Sequence, residues 1–226
     1  LGDVYKRQIL GGTNALGEFI DPIAADFTQP GAQVVQIHIN VVRTIGTTEN
    51  DDTIFGGIED DIIIDSLGED HLRGGDGWDY IDGGRQGDTL LGNRGNDIMI
   101  GGNGRDLMRG GAEDDDLSGN NGRDRLDGGR GNDILRGNRD DDSLRGGSGE
   151  DTFVFGDNGD NDTIEDFSDG EDLIALDING FADFADVMAA ATEIDGGVHI
   201  DFGVEGSVFI KNTSLAALDE SDFIFA

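Results

Sequence analysis

A nine-residue repeat runs without insertion from residue 47 to residue 154, and it constrains the fold more than any other feature of the sequence. Each of the twelve units has Asp at its sixth place and an apolar residue at its eighth. Ten units begin with Gly and seven have Gly at the fourth place, so the average unit reads G-G-x-G-x-D-x-U-x, where U is apolar. The sixth-place residues are Asp52, Asp61, Asp70, Asp79, Asp88, Asp97, Asp106, Asp115, Asp124, Asp133, Asp142 and Asp151.

One apolar residue in nine excludes an amphipathic helix, which needs three or four in two turns. A short strand around the eighth place followed by a six-residue turn fits the pattern, because Gly adopts the positive φ angles that tight turns require. Two units then form one coil of about 18 residues, and equivalent units stack at the strand spacing of roughly 4.8 Å. The repeat therefore predicts an all-β fold, a right-handed parallel β-roll whose eighth-place residues form a thin core.

An Asp at the same place of every coil would form columns of carboxylates, whose repulsion water only partly screens. One carboxylate per unit and the carbonyl groups of Gly-rich turns are hard oxygen ligands, typical of Ca²⁺ sites rather than Zn²⁺ sites. The alternative is an acidic solenoid whose carboxylates stay in water. We expect cations between the carboxylates, because this nonapeptide is typical of calcium-binding β-helices.

From about residue 45 to residue 226 the chain resembles the RTX (repeats-in-toxin) family, whose members bacteria export through type I secretion systems. The resemblance implies that Ca²⁺ lies between one turn and the equivalent turn one coil later, held by sixth-place Asp and by turn carbonyls. Unit n would share ions with unit n+2, which implies several Ca²⁺ ions, roughly 6 to 10. The turn glycines that the resemblance implicates are Gly75, Gly77, Gly84, Gly102, Gly104, Gly129, Gly131, Gly147 and Gly149.

The repeat departs from its pattern at a few places. Units one and three, which start at Thr47 and Asp65, are the poorest copies, as expected near the end of a solenoid. A residue other than Gly at positive φ costs on the order of 1 kcal/mol. We therefore expect turns with another residue at the fourth place to bind calcium more weakly or to use the additional side chain differently. Those departures recur once every three units, at Glu59, Gln86, Glu113 and Asp140.

After Val154 the register slips by two residues and then by one. The residues that follow predict a thirteenth unit with Asp162 at its sixth place and a fourteenth with Asp172. This segment resembles the closing coils of serralysin-like C-terminal regions.

The remaining segments complete the predicted domain organisation. Residues 1–8 resemble translated sequencing adapter, and we expect them to be a non-native leader on a fragment. Residues 9–46 are less acidic, and their alternation from Val35 to Val41 predicts either a strand that caps the roll or the tail of an upstream domain. The roll itself is predicted to span residues 47–176.

Residues 177–226 predict a small mixed α/β cap. Apolar residues from Phe181 to Ala191 fall on one helical face, and three short strands follow. The terminal run from Asp222 to Ala226 resembles an uncleaved type I secretion signal, with a final capping strand as the alternative.

Charge and composition restrict the partners. The chain has 49 Asp and Glu against 15 Lys and Arg, a formal charge of −34, which repels nucleic acid and anionic membranes. No stretch approaches the 18 apolar residues that a membrane span needs, so no stable membrane insertion is expected. Without Cys there are no disulfides, and we expect ions to stabilise the chain outside the cell and most of it to be unfolded without them.

The sequence contains no catalytic constellation: it lacks H-E-x-x-H and G-x-S-x-G motifs and any Cys nucleophile. The resemblance therefore predicts a calcium-binding module that a Gram-negative bacterium secretes by the type I pathway. It would fold on calcium outside the cell and stabilise or export a larger protein, with the type I apparatus and an upstream domain as partners. The alternatives are the C-terminal fragment of a secreted enzyme (a serralysin-like metalloprotease, a lipase or a glycan-modifying enzyme), a fragment of a pore-forming toxin, or an extracellular adhesin.

Overall fold

The computed structural model describes residues 34–36, 44–46, 51–157 and 160–225. Successive strands of the repeat alternate between an eleven-stranded and a nine-stranded sheet. The larger sheet contains β1 (Val34–Gln36), β3 (Thr53–Gly57), β5 (His71–Asp76), β7 (Thr89–Arg94), β9 (Leu107–Ala112), β11 (Arg125–Arg130), β13 (Ser143–Ser148), β15 (Asp160–Ile164), β17 (Ala191–Ile194), β18 (Gly197–Asp201) and β19 (Gly206–Lys211). The smaller sheet contains β2 (Thr44–Gly46), β4 (Ile62–Ile64), β6 (Tyr80–Asp82), β8 (Ile98–Asn103), β10 (Asp116–Asn121), β12 (Ile134–Arg139), β14 (Thr152–Gly156), β16 (Leu173–Asp177) and β20 (Phe223–Phe225).

Strands one coil apart pair in parallel, with a register of 18 residues through the repeat. Leu90 of β7, for example, lies beside Leu72 of β5 on one side and Met108 of β9 on the other. The predicted parallel β-roll with two units per coil is confirmed.

Three places of each unit face the interior. Side chains of a strand alternate between its two faces, so the sixth place, the eighth place and the first place of the next unit share the inner face. The eighth-place side chains form the predicted core and are at most 1 % exposed: Ile54, Ile63, Leu72, Ile81, Leu90, Met99, Met108, Leu117, Leu126, Leu135, Leu144 and Phe153. The same alternation buries the sixth-place carboxylates and the first-place glycines.

The roll continues beyond the twelve units on both sides. On the N-terminal side, β1 pairs with β3 and β2 pairs with β4, both in parallel. The strand predicted from Val35 to Val41 is found only as β1, and residues 37–43 lie outside the described residues. On the C-terminal side, Ile164 lies beside Leu144 and Ile174 beside Phe153, so the turns absorb both register slips.

The C-terminal segment closes both sheets. In the larger sheet β19 pairs in parallel with β15, and β18 and β17 then add as antiparallel strands. In the smaller sheet β20 pairs with β16, so the terminal apolar run is a capping strand in this structure. The three strands predicted after the helix are therefore present as β17, β18 and β19.

The predicted helix is shorter than its apolar face suggested. Helix α1 spans Phe184–Ala190 and begins after Asp183, whose side chain accepts hydrogen bonds from the N–H groups of Ala185 and Asp186. Val187 is its buried residue, whereas Met188 is 37 % exposed. The helix ends because Ala191 turns into extended backbone and pairs with Ile200 of β18.

Candidate metal centres

All fourteen predicted sixth-place aspartates are buried, with at most 4 % of any of them exposed. Each strand of the repeat positions one of them on its inner face, because the sixth place immediately precedes the strand or, for Asp162, lies within β15. An ionised carboxylate in such surroundings is unstable unless donors or a cation compensate its charge.

From Asp70 onward, after the start of the two ladders at Asp52 and Asp61, one oxygen of each sixth-place carboxylate links neighbouring coils. The N–H of Asp88 donates to Oδ1 of Asp106 at 2.7 Å, and the N–H of Asp106 donates to Oδ1 of Asp124 at 2.8 Å. The same bond bridges both register slips, from Asp142 to Oδ1 of Asp162 at 2.9 Å and from Asp151 to Oδ1 of Asp172 at 3.0 Å. The structure thus brings the predicted aspartates together in two ladders that connect each unit n with unit n+2.

The other oxygen, Oδ2, is buried without a hydrogen-bond donor among the described residues. This holds for the sixth-place residues Asp61, Asp70, Asp79, Asp88, Asp97, Asp106, Asp115, Asp124, Asp133, Asp142 and Asp151. A regular series of orphaned carboxylate oxygens at the same place of every coil indicates a ligand that is bound at every coil.

The first-place glycines pack closely against these oxygens, so that a side chain there would collide with the ladder Asp. A Cβ at Gly101 would stand 2.5 Å from Oδ2 of Asp106 and 2.9 Å from the carbonyl oxygen of Gly119, one coil later. At Gly83 the corresponding distances are 2.7 Å to Oδ2 of Asp88 and 2.8 Å to the carbonyl oxygen of Gly101. Oδ2 of the ladder Asp and a backbone carbonyl oxygen of the next coil thus both lie close to glycines such as Gly83 and Gly101, and both are ligand types that Ca²⁺ prefers.

The predicted turn glycines have the backbone conformation that the turns require. All nine, from Gly75 to Gly149, have positive φ, and φ at Gly102 is 111°. A Cβ at Gly102 would also collide with the carbonyl oxygen of Gly84, so stacking of the coils excludes a side chain there. The structure explains why these positions are Gly; their carbonyl groups as calcium ligands stay a prediction.

Three of the four fourth-place departures adopt the strained conformation that the sequence predicted. Gln86, Glu113 and Asp140 have φ between 73° and 80°, whereas Glu59 is not in this region. Oε2 of Glu113 accepts a hydrogen bond from the N–H of Gly95 at 2.9 Å, so its side chain links this turn to the previous coil.

Burial dominates the electrostatics of the ladders. It raises the pKa of Asp106 to about 6, although the hydrogen bond from Asp88 opposes the rise. Burial raises the pKa of Asp115 to about 8, where the hydrogen bond from Asp97 opposes the rise and the charges of Asp97 and Asp133 add to it. In the absence of a cation, the carboxyl groups of the folded ladders therefore keep their protons to higher pH than ordinary Asp side chains do.

Two components of these sites were not predicted from the sequence. The first-place glycines face Oδ2, and the signal was their presence in ten of the twelve units. The second is Asp65, one of the two residues that replace them, whose carboxylate lies close to those of Asp52 and Asp70.

The model of the RTX calcium-binding nonapeptide repeat (4 copies) matches residues 47–77, 55–90, 85–117, 118–153 and 127–164. These matches together cover residues 47–164, which is more than half of the chain. The chain belongs to the RTX calcium-binding repeat family. Its RTX repeats bind Ca²⁺, and the buried Asp ladders fit several ions.

None of the curated proteins matches the chain at a significant level. Among solved structures, the extracellular lipase LipA from Serratia marcescens is similar, with 18% sequence identity and a TM-score of 0.43. The similarity covers 88% of this chain and 40% of that chain, so the RTX chain spans less than half the length of the lipase. Within the described residues, no helix has the length and apolar character needed to cross a membrane.

Proposed function

We propose that this RTX chain is a module that folds on calcium after type I secretion by a Gram-negative bacterium, and that it stabilises or exports a larger extracellular protein. The observation that carries the proposal is the buried Oδ2 atom of the ladder aspartates from Asp61 to Asp151, which in these eleven residues has no donor among the described residues. Fourteen buried carboxylates make folding depend on a species that neutralises them, and the family supplies its identity as Ca²⁺.

The concentration of calcium then decides whether the chain folds. A site with a dissociation constant near 10⁻⁴ M, typical of extracellular calcium modules, stabilises the folded state by about 1.4 kcal/mol at ~1 mM calcium. Several such sites together contribute as much as the whole stability of an ordinary domain. In the low calcium of the cytosol the same sites contribute almost nothing, so the chain stays unfolded there.

This dependence suits export through a type I apparatus, which we propose as a transient partner. The exporter would engage an unfolded C-terminal segment inside the cell, and calcium outside would capture the emerging repeats. The acidic composition and the lack of Cys support this route, because neither folding nor stability depends on disulfides. In this proposal residues 47–176 are the roll, residues 177–226 combine a cap with the secretion signal, and an upstream domain carries the activity of the larger protein.

The test is the circular dichroism spectrum of the purified chain, first in EGTA and then with excess Ca²⁺. We expect a disordered spectrum in EGTA and a β-rich one with calcium. Mg²⁺ at the same concentration serves as the control, and we expect it to induce much less structure, because it demands near-octahedral geometry and gives up its water reluctantly. A β-rich spectrum in EGTA that calcium leaves unchanged would contradict the proposal.

A further inference from the structure

Unit three carries a carboxylate where the repeat has none. Asp65 stands at the first place, which is Gly in ten of the twelve units. In those units the first-place glycine lies directly against Oδ2 of the sixth-place Asp, and a Cβ there would stand at most 2.7 Å from it. Asp65 is only 4 % exposed, so its side chain occupies the interior of the roll.

The backbone of unit three nevertheless follows the roll. The N–H of Asp65 donates to the carbonyl oxygen of Asp82 at 2.8 Å, as the N–H of Gly83 donates to that of Ile100 at 2.9 Å. Oδ1 of Asp65 accepts a hydrogen bond from the N–H of Ser66 at 2.7 Å, which fixes the orientation of the carboxylate. The departure from the repeat thus adds a carboxylate without removing unit three from the stack.

Three carboxylates meet at this point. Asp52, Asp65 and Asp70 each offer an oxygen, and these oxygens lie within 4.8 Å of one another. Asp52 and Asp70 belong to one ladder, where the N–H of Asp52 donates to Oδ1 of Asp70 at 2.6 Å. Oδ2 of Asp70 is buried without a donor, and Asp70 is 1 % exposed. Three buried carboxylates this close together, one of them with an oxygen that lacks a donor, are typical of a cation-binding site and not of a solvated surface.

We propose that Asp52, Asp65 and Asp70 form a calcium site that differs from the repeating sites of the roll and has the highest affinity among them. It rests on the proposed function, since it assumes that calcium fills the ladders. At the repeating sites one Oδ2 converges with a backbone carbonyl, whereas this site gathers three carboxylates. The affinity of calcium sites rises with the number of charged ligands, so we expect a dissociation constant at least about tenfold lower here.

Position in the fold gives the site a role in folding order. It joins unit one to unit three, on β3 and β5 near the N-terminal side of the roll. A site that fills first pairs these two strands first, and each later coil then adds to an existing edge. Units one and three, which the sequence marked as the poorest copies, would therefore start the roll rather than fray from it.

Isothermal titration calorimetry with calcium, on the full chain, tests the proposal. We expect a first, tight binding event followed by a weaker class of sites. Asp65→Gly restores the repeat and Asp65→Asn keeps the shape without the charge, and both should lose the tight event while the weaker class persists. The matched control is Glu69→Gln, which removes an exposed charge beside Asp70 and should leave the tight event in place.

The outcomes separate this inference from the proposed function. If the wild type shows no tight event, or if Asp65→Gly and Asp65→Asn both retain it, the three-carboxylate site is refuted while the repeats still bind calcium. If the wild-type chain neither binds calcium nor folds with it, the proposed function itself fails. A calcium midpoint of folding that shifts at least about tenfold upward in both Asp65 variants, but not in Glu69→Gln, supports the proposed order of filling.

Discussion

At the scale of single residues, an Asp inside a ladder divides its two oxygens between two tasks, as Asp106 shows. Oδ1 accepts the N–H of the Asp one coil earlier and so links the coils, as between Asp88 and Asp106. Oδ2 of Asp106 has no donor among the described residues and lies against the first-place Gly101. Because the tasks fall on different atoms, a substitution can remove one of them and keep the other.

Asp106→Asn makes this separation testable. The amide oxygen can still accept the Asp88 N–H, but the charge that would bind calcium is gone. We expect calcium affinity at the affected coils to fall at least about tenfold. In calcium-free buffer we expect the substitution to stabilise the folded state, because a neutral amide avoids the desolvation cost that raises the pKa of Asp106 to about 6. The variant should then fold at a lower concentration of a stabilising osmolyte than the wild type, as measured by circular dichroism.

Asp76→Asn is the control for net charge. Its side chain is half exposed and lies 3.7 Å from the more exposed Arg94, outside the ladders. We expect little change in calcium affinity and no gain in calcium-free folding. Equal effects of the Asp76 and Asp106 variants would show that total charge, and not the ladder, governs calcium binding.

At the scale of elements, the first-place residue of each strand determines how closely the backbone packs against the Asp ladder. The backbone at Gly101, within β8, has no positive φ, so alanine is conformationally allowed there. Its Cβ would nevertheless stand 2.5 Å from Oδ2 of Asp106 and 2.9 Å from the carbonyl oxygen of Gly119. We expect Gly101→Ala to displace the Asp106 carboxylate, to weaken calcium binding at that coil and to destabilise the calcium-bound roll by about 1–3 kcal/mol in denaturant titrations.

Gly156→Ala is the matched control for this substitution. A Cβ there meets only the carbonyl oxygen of Asp177, at an ordinary distance of 3.8 Å, and φ is again not positive. We expect unchanged calcium binding and a gain in the free energy of unfolding of about 0.4–1 kcal/mol, because alanine lowers the conformational entropy of the unfolded chain. A loss of calcium binding in both variants would argue that glycine flexibility matters more than the close contact with the Asp106 carboxylate.

Most of the roll could be predicted from the sequence because its contacts repeat. A strict period of nine determines which residues pair one coil apart, and so the core, the strand pairs and the ladder partners of Asp106 all follow from it. The end of α1 could not be predicted in this way, because it depends on pairing of Ala191 with Ile200, a contact outside any period. The contacts of Asp65 could not be predicted from the period either, because Asp65 departs from the repeat. Its proximity to Asp52 and Asp70 is visible only in the stacked coils.

At the scale of the whole molecule, the ladders make folding of the calcium-free chain depend on pH. The pKa values in the folded state lie at about 6 for Asp106 and about 8 for Asp115, above the ordinary value of 3.8. The folded state therefore binds more protons than the unfolded state between about pH 4 and pH 8, and the free energy of unfolding falls as pH rises through this window.

We therefore expect the calcium-free chain to gain β structure when pH is lowered from about 8 to about 5.5, as followed by circular dichroism. Calcium affinity should change in the opposite direction and weaken as pH falls, because protons compete for the same oxygens and calcium binding releases them. Calorimetry in buffers of different ionisation enthalpy would detect the released protons. A calcium-free chain that remains disordered at both pH values would show that neutralising the ladders is not sufficient for folding.

Export concerns the whole chain, and two variants can distinguish the role of the C-terminal segment in export from its role as a cap of the roll. Deleting residues 178–226 removes α1 and β17 to β20, so it uncaps both sheets and also removes the proposed secretion signal. Val208→Asp places an unpaired charge on a fully buried position of β19, which disrupts the cap but keeps every C-terminal residue. In a strain with a type I system, we expect the truncated chain to stay inside the cell, and we expect the Val208→Asp chain to be exported but to fold poorly on calcium.

Two outcomes would contradict this expectation. If the truncated chain is exported as well as the full chain, the C-terminal segment is only a structural cap. If both variants are retained in the cell, the cap must be able to fold for export.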